Sequence, residues 1–143
     1  MHGEVSPLDY DSPAMARLHH VPSEECSSST GQTSGMTRLA ALSGATVGSH
    51  AIWMGETHMA PRVTSGPHHH GASETGIYVV SGHPEFIHKD GDREVRVRTK
   101  PGDYIYIPPS VHHIESNAHS DEEAVVVIAR TTQEAIVENL ESL

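Results

Sequence analysis

The sequence is poor in cysteine, phenylalanine and tryptophan, each of which occurs once in 143 residues. Because Cys26 stands alone, no intramolecular disulfide can form, and nothing calls for an oxidising compartment. Basic residues are scarce as well, since nine Lys and Arg against nineteen Asp and Glu give a formal net charge of −10. This balance argues against a nucleic acid or an anionic membrane as the partner, because both bind basic surfaces.

Long apolar runs are also missing. No stretch approaches the roughly 18 apolar residues of a membrane-spanning helix, and the first residues are not a basic stretch followed by an apolar one. We therefore expect a soluble, cytoplasmic protein. A chain of 143 residues is expected to form one domain, with a core that needs no disulfide or metal to hold it together.

Histidine, in contrast, is abundant, with 13 residues in the chain. Histidine-rich tracts are typical of metal-binding proteins. An affinity tag would be a terminal run, whereas the run from Pro67 to Gly71 is internal. The composition therefore points to a metal site within the fold.

The chain divides into an arm and one all-β domain. Residues 1–35 are rich in Ser, Thr, Gly and Pro and are expected to form a loose N-terminal arm, and residues 36–143 to form the domain. Short segments rich in β-branched and aromatic residues recur through the domain. These predicted strands are Thr37–Leu42, Ala51–Met59, Gly76–Val80, Glu85–His88, Val95–Thr99, Tyr104–Ile107, Ile114–Asn117 and Ala124–Arg130.

Turn residues support this division. The sequences at 89–92 and 100–103 contain Asp-Gly and Pro-Gly, which are typical of tight turns between strands. Residues 132–143 are expected to form a closing strand or an extended tail. About eight antiparallel strands in one domain predict a jelly roll or a closed barrel.

Two histidine-containing segments carry the predicted chemistry. In a strand, residues two apart face the same side, so His68 and His70 can point into a barrel while His69 points away. The segments at 67–82 and 102–117 together resemble the two motifs of the cupin superfamily. The resemblance implies that this chain is an all-β, single-domain jelly-roll barrel. In the second segment Gly102, Pro108, His113 and Asn117 fall at the family spacing, which selects His113 over His112, and Ser110 replaces a glycine.

The first segment departs from the family pattern. Counted from the histidines, Glu74 takes the place of the family's metal-binding glutamate, but counted back from Gly82 that place falls on Thr75. If the strand is regular, Thr75 faces the metal and Glu74 faces away. Arg62 stands where the motif opens with glycine. The resemblance therefore implies the metal ligands His68, His70 and His113, with Glu74 as the fourth. A further imidazole could replace it, from His50, His58, His69, His83, His112 or His119.

A site made mainly of neutral imidazoles suits borderline metals better than Mg or Ca. We expect one divalent transition metal, Zn²⁺, with Fe²⁺ or Ni²⁺ as alternatives. The short histidine-rich chain is similar to the small cupin-type polyketide cyclases of bacterial aromatic polyketide (resistomycin-type) biosynthesis. That resemblance implies aldol-type ring closure of a poly-β-ketone, held as a small-molecule substrate in an apolar cavity.

Two other functions remain open, namely an iron-dependent dioxygenase of a small organic substrate and a non-enzymatic cupin that binds a small ligand. Because small single-domain cupins usually pair by extending a sheet, we also expect a homodimer. No nucleic acid and no membrane are expected as partners.

Overall fold

The computed structural model describes residues 17–132 and 136–143, so most of the predicted arm and part of the predicted tail lie outside these ranges. A single turn of 3-10 helix spans Ser23–Glu25 and a short helix, α1, spans Gly44–Val47. The strands are β1 Thr37–Leu42, β2 Trp53–Met59, β3 His68–His69, β4 Thr75–Ser81, β5 Glu85–Asp90, β6 Arg93–Arg98, β7 Tyr104–Ile107, β8 Ile114–Ser116, β9 Ala124–Arg130 and β10 Glu138–Asn139.

The strands form two main antiparallel sheets and one short pair. The larger sheet has the order β1-β2-β9-β4-β7, the smaller has the order β6-β5-β8, and β10 pairs with β3. Neighbours such as β2 and β9 are far apart in the sequence, so the chain crosses repeatedly between the sheets, as it does in a jelly roll. The predicted all-β jelly-roll fold is confirmed.

The core lies between the sheets and follows the alternation of the strands. Exposure alternates residue by residue along β2, β4 and β9, so each strand sends every second side chain inward. Phe86 of the smaller sheet joins side chains of the larger one. The buried cluster is Ala40, Trp53, Ile77, Val79, Phe86, Ile107, Val126 and Ile128.

The predicted strands and turns agree closely with the structure. The predicted bounds of β1, β7 and β9 are those observed, whereas β5 and β6 extend to the hairpin turn at Gly91-Asp92. Gly91 and Gly102 both adopt positive φ angles, of 64° and 95°, which glycine allows without steric cost.

Two non-glycine residues also adopt a left-handed backbone conformation. Arg62 has a φ of 65° and Ser110 a φ of 61°, and these are the positions where the family motifs carry glycine. The Arg62 N–H donates to the carbonyls of Asn117 and Ser120, each at 3.1 Å, and the Ser110 N–H donates to the carbonyl of Gly71 at 2.7 Å. Backbone hydrogen bonds therefore hold both turns in place.

The second half of the predicted arm already contacts the barrel. Ser27 exchanges backbone hydrogen bonds with Ala40 of β1, at 2.8 and 2.7 Å. The Gln32 amide accepts from the Arg38 N–H at 2.8 Å and donates to the Arg38 carbonyl at 2.9 Å. The domain boundary at residue 36 stays a prediction. Within the described ranges, no helix has the length and apolar character needed to cross a membrane.

Candidate metal centre

Three histidines converge inside the barrel because of how β3 is paired. His68 and His113 form an isolated antiparallel bridge, with N–H···O distances of 3.0 and 2.9 Å. β10 pairs with the other edge of β3. His70 follows two residues after His68 and faces the same side, whereas His69 faces outward and stacks on His112, with ring centroids 5.1 Å apart.

The three side chains form a compact cluster. His68, His70 and His113 are all buried, and one ligand atom from each lies within 4.8 Å of the others. Their ring centroids are 4.3 to 5.2 Å apart. No other group of three or more potential metal ligands occurs among the residues that the structure describes.

Backbone carbonyls orient each imidazole. The Nδ1 atoms of His68, His70 and His113 lie 2.9, 2.9 and 3.0 Å from the carbonyl oxygens of Gly66, Ile136 and Val111. An Nδ1–H that donates to a carbonyl places the proton there and leaves Nε2 with a free lone pair, as is usual in metal-binding histidines. The Nε2 atoms of His68 and His113 are buried and accept no hydrogen bond from the described residues.

Burial keeps the imidazoles of His70 and His113 neutral. Burial first, and then the charge of Arg130, lowers the pKa of His70 to about 2. Burial first, followed by the charge of His68, lowers the pKa of His113 to about 4. Neutral imidazole is the form that binds a metal. Since ligand nitrogens lie about 2.1 Å from zinc and similar ions, the cluster fits one divalent transition metal ion after small side-chain adjustments.

Glu74 does not join this cluster. Its side chain is exposed and accepts a hydrogen bond from the Tyr106 hydroxyl at 2.7 Å. Thr75, the first residue of β4, points inward instead and is 1% exposed. β4 pairs in regular register from Thr75 to Val79, and its register with β9 shifts only beyond that point, between Val79 and Ser81. The alternation at the start of the strand therefore turns Thr75 inward and Glu74 outward.

None of the additional histidines considered as a fourth ligand lies in the cluster. His58, for example, contacts Glu56 at 2.8 Å on the outside of β2. His83 lies near the carbonyl of Thr99, with its Nδ1 3.2 Å from that oxygen.

A carboxylate that the sequence analysis did not select lies beside the cluster. Glu115 is 1% exposed, and its Oε2 lies 3.4 Å from Nε2 of His68 and 3.8 Å from Nε2 of His113. Burial raises the pKa of this carboxyl group, but the neighbouring His68, His113 and Arg38 outweigh that effect and bring the pKa to about 2. The signal was present in the sequence, because Glu115 follows His113 by two residues in extended chain, and residues two apart face the same side.

Two arginines also reach the interior. Arg38 of β1 is 0% exposed and Arg130 of β9 is 2% exposed. Arg130 occupies an inward position in the alternation of β9, opposite Trp53 of β2 and Thr75 of β4. The interior around the histidines is therefore charged as well as polar.

One member of the histidine cluster lines a groove of about 390 Å³. Its lining is mostly apolar, and His113 is the member of the cluster that it reaches. Other lining residues include Phe86, Ile105, Ile107 and Val111, with Tyr104 and Tyr106 at the exposed end. A groove of this size admits a small organic molecule and places it beside His113.

Comparisons with known proteins agree with this architecture. The family model described as "Cupin domain" matches residues 55–129, just over half of the chain. No curated protein sequence matches the chain significantly.

Solved structures show the same fold at low sequence identity. The polyketide cyclase RemF from Streptomyces resistomycificus is 19% identical with a TM-score of 0.68, and the match covers 87% of this chain and 86% of that one. An uncharacterised protein with a double-stranded β-helix domain from Klebsiella pneumoniae is 17% identical with a TM-score of 0.65, and the match covers 88% and 100%.

Oxalate decarboxylase from Bacillus subtilis is 20% identical with a TM-score of 0.67, over 76% of this chain. The match spans only 28% of the decarboxylase chain, so the two proteins are comparable in one barrel alone. Oxalate oxidase and RemF, like this decarboxylase, are enzymes built on the same barrel. By its sequence match and by the barrel that carries its three buried histidines, this chain belongs to the cupin family.

Proposed function

We propose that this protein is a metal-dependent enzyme in which His68, His70 and His113 bind one divalent transition metal ion. One observation carries the proposal. Three buried imidazoles point Nε2 inward with Nδ1 held by carbonyls, and two of these Nε2 atoms have no hydrogen-bond partner among the described residues, although the Glu115 carboxylate lies beside them. A buried acceptor without a partner is costly, and a metal ion would satisfy it.

We further propose Glu115 as the fourth ligand in place of Glu74. Ligand atoms around one metal ion lie about 3.0 to 3.4 Å apart when each is about 2.1 Å from the ion. The distance from Oε2 of Glu115 to Nε2 of His68, 3.4 Å, is within that range, and the distance to His113 is slightly longer at 3.8 Å. Glu74 is exposed on the other face of its strand.

The reaction that we propose is aldol-type ring closure of a poly-β-ketone. The metal, when bound, would supply a Lewis acid that polarises a carbonyl group. The groove lined by His113 would hold the extended poly-β-ketone chain, exclude water and bring the reacting carbons together. Support also comes from the similarity to RemF, which extends over most of both chains.

A second candidate, an iron-dependent dioxygenase, is favoured by Glu115. Imidazoles alone suit zinc, copper, iron and nickel alike, whereas imidazoles combined with a carboxylate are typical of non-haem iron(II) oxygenases. If Glu115 is a ligand, the site is therefore less selective for zinc than a site of three histidines alone would be. Metal identity and oxygen consumption separate the two reactions.

The ligand set is tested by elemental analysis of the purified, untagged protein and its variants. His68→Ala, His70→Ala and His113→Ala should each lose most of the bound metal, whereas the matched control His112→Ala should retain it. Glu115→Gln should weaken metal affinity by an order of magnitude or more, and Glu74→Gln should not change it. Full metal content in the His113 variant would exclude the proposed centre.

The reaction is tested with poly-β-ketone chains produced by a minimal polyketide synthase, with and without the metal-loaded protein. Ring closure in one regiochemistry, lost in His113→Ala and retained in His112→Ala, is the expected result. Oxygen uptake with bound iron would instead support the dioxygenase. A protein that binds metal but neither changes the pattern of cyclised products nor consumes oxygen would be a ligand-binding cupin.

A further inference from the structure

Arg130 is buried with its charge unpaired. It is 2% exposed, and Nε, Nη1 and Nη2 have no hydrogen-bond acceptor among the described residues. Its guanidinium carbon lies 4.4 Å from the centroid of the Trp53 ring, so the aromatic face covers one side of the cation. A guanidinium carries five N–H donors, and leaving them unsatisfied in the interior is costly.

The interior as a whole has an excess of positive charge. Arg38 is also buried, and its Nη1 donates to Thr33 Oγ1 at 2.8 Å and to the Gly31 carbonyl at 3.2 Å. Glu115 is the only buried carboxylate in the part of the chain that the structure describes. Two guanidinium groups therefore face one carboxylate, and a divalent metal would add two more positive charges. An anion would restore the balance.

The site of that anion is defined by β4 and β9. Arg130 lies directly opposite Thr75 in the ladder between these strands, and both side chains face inward. The Oγ1 atom of Thr75 is buried and, within the described residues, also lacks a partner. Arg130 lies close to the cluster, since its charge is the second cause, after burial, of the lowered pKa of His70.

We propose that Arg130 and Thr75 bind the carboxylate of an organic acid next to the histidine cluster. A planar carboxylate matches the fork of a guanidinium with two parallel hydrogen bonds, which explains why arginine stands here. The Thr75 hydroxyl donates a third bond. Burial first, and then the charge of Arg38, lowers the pKa of Arg130 to about 9, so the guanidinium remains charged at neutral pH.

The inference names the substrate class for the proposed enzyme and to that extent rests on the proposed function. The substrate would carry a carboxylate at Arg130 and present a second oxygen to the metal. The carboxylate contact itself needs only the protein, so it can be measured after the metal has been removed.

The test uses Trp53, the only tryptophan of the chain, as a fluorescent reporter. Acetate, succinate and benzoate are titrated into the full-length protein, both metal-free and metal-loaded, with inorganic phosphate as the competing anion. At least one carboxylate should change the Trp53 emission with saturation. Arg130→Met should abolish the response, Arg130→Lys should weaken binding at least tenfold, and Thr75→Val should weaken it several-fold. The exposed Arg93→Met is the matched control and should bind as the wild type does.

A second readout guards against misfolding of the variants. Because Arg130→Met removes an unpaired buried charge, its metal-free form should melt at a higher temperature than the wild type, and succinate should stabilise the wild type alone. Binding that persists in Arg130→Met, a response to phosphate but to none of the carboxylates, or no response at all would each overturn the inference. Metal binding at the histidines without a carboxylate response would overturn the inference and leave the proposed function intact. Carboxylate binding by a protein that binds no metal would support the inference and contradict the proposed function.

Discussion

Mild acid should destabilise the metal-free protein, because two buried histidines stay neutral when it is folded. The pKa of His70 is lowered to about 2 and that of His113 to about 4, in both cases chiefly by burial. In the unfolded chain each imidazole titrates near its reference pKa of about 6.5. Below that pH the unfolded chain binds more protons than the folded protein, so the free energy of unfolding falls as the pH falls.

The magnitude follows from these two groups. Each contributes about 1.4 kcal/mol per pH unit once the unfolded form is protonated. From pH 7 to pH 5 the two together should remove about 4 kcal/mol, a large part of the roughly 5–15 kcal/mol that stabilises an ordinary domain. Glu115 contributes little in this window, because its lowered pKa, about 2, causes loss of stability only as the pH falls further, from about 4.5 towards 2.

Urea unfolding in the presence of a chelator, followed by Trp53 fluorescence at pH 7 and pH 5, measures this difference. His113→Asn should reduce the loss to about 2 kcal/mol, because one of the two groups is removed. The exposed neighbour substitution His112→Asn should leave it unchanged. Equal unfolding free energies at the two pH values in the wild type would refute the argument that burial keeps these histidines neutral.

Three further predictions concern stability and assembly. Gly82→Ala should lower the free energy of unfolding, measured with denaturant, by more than about 2 kcal/mol, since φ is 81° and the new Cβ would lie 2.9 Å from the Cα of Ala124. The control Gly91→Ala, with φ of 64° and no atom within 4 Å of the new Cβ, should lower it by only about 1–2 kcal/mol. Thr75→Val should leave the unfolding free energy of the metal-free protein unchanged or slightly higher, because the buried hydroxyl has no partner in the described chain, and a loss of more than about 1 kcal/mol would show that the hydroxyl is used. The protein should be a homodimer with a light-scattering mass of twice 15.4 kDa, and a mass near 15.4 kDa at micromolar concentration would contradict this.

Much of the fold was predictable because its strands alternate simply. β1, β7 and β9 have the bounds that were predicted, since turn residues flank all three, and β7 and β9 consist mostly of β-branched or aromatic residues. The two-residue β3 was not predicted, because pairing with β10 and the bridge to His113 define it. Such pairings are long-range and leave no local pattern.

The histidines were predictable from spacing, but the charged interior was not. The sequence alone left Glu74 and Thr75 as alternatives, and only the register of β4 shows which one faces inward. Glu115 and Arg130 occupy inward positions on their strands. Arg130 is the last residue of β9, where a charged side chain is usually solvent-exposed, so alternation alone did not distinguish it from a surface residue. For Glu115 the two-residue spacing from His113 was the available signal.

The left-handed turns at Arg62 and Ser110 bear on how proteins of this kind can be detected. In both places the backbone keeps the conformation that glycine would adopt with ease, although an ordinary L-residue there costs about 1–2 kcal/mol. The turn conformation therefore does not require glycine at either position. A search pattern that demands glycine at these positions would overlook this chain, whereas one that weights the inward histidines and permits any residue at the turns would find it.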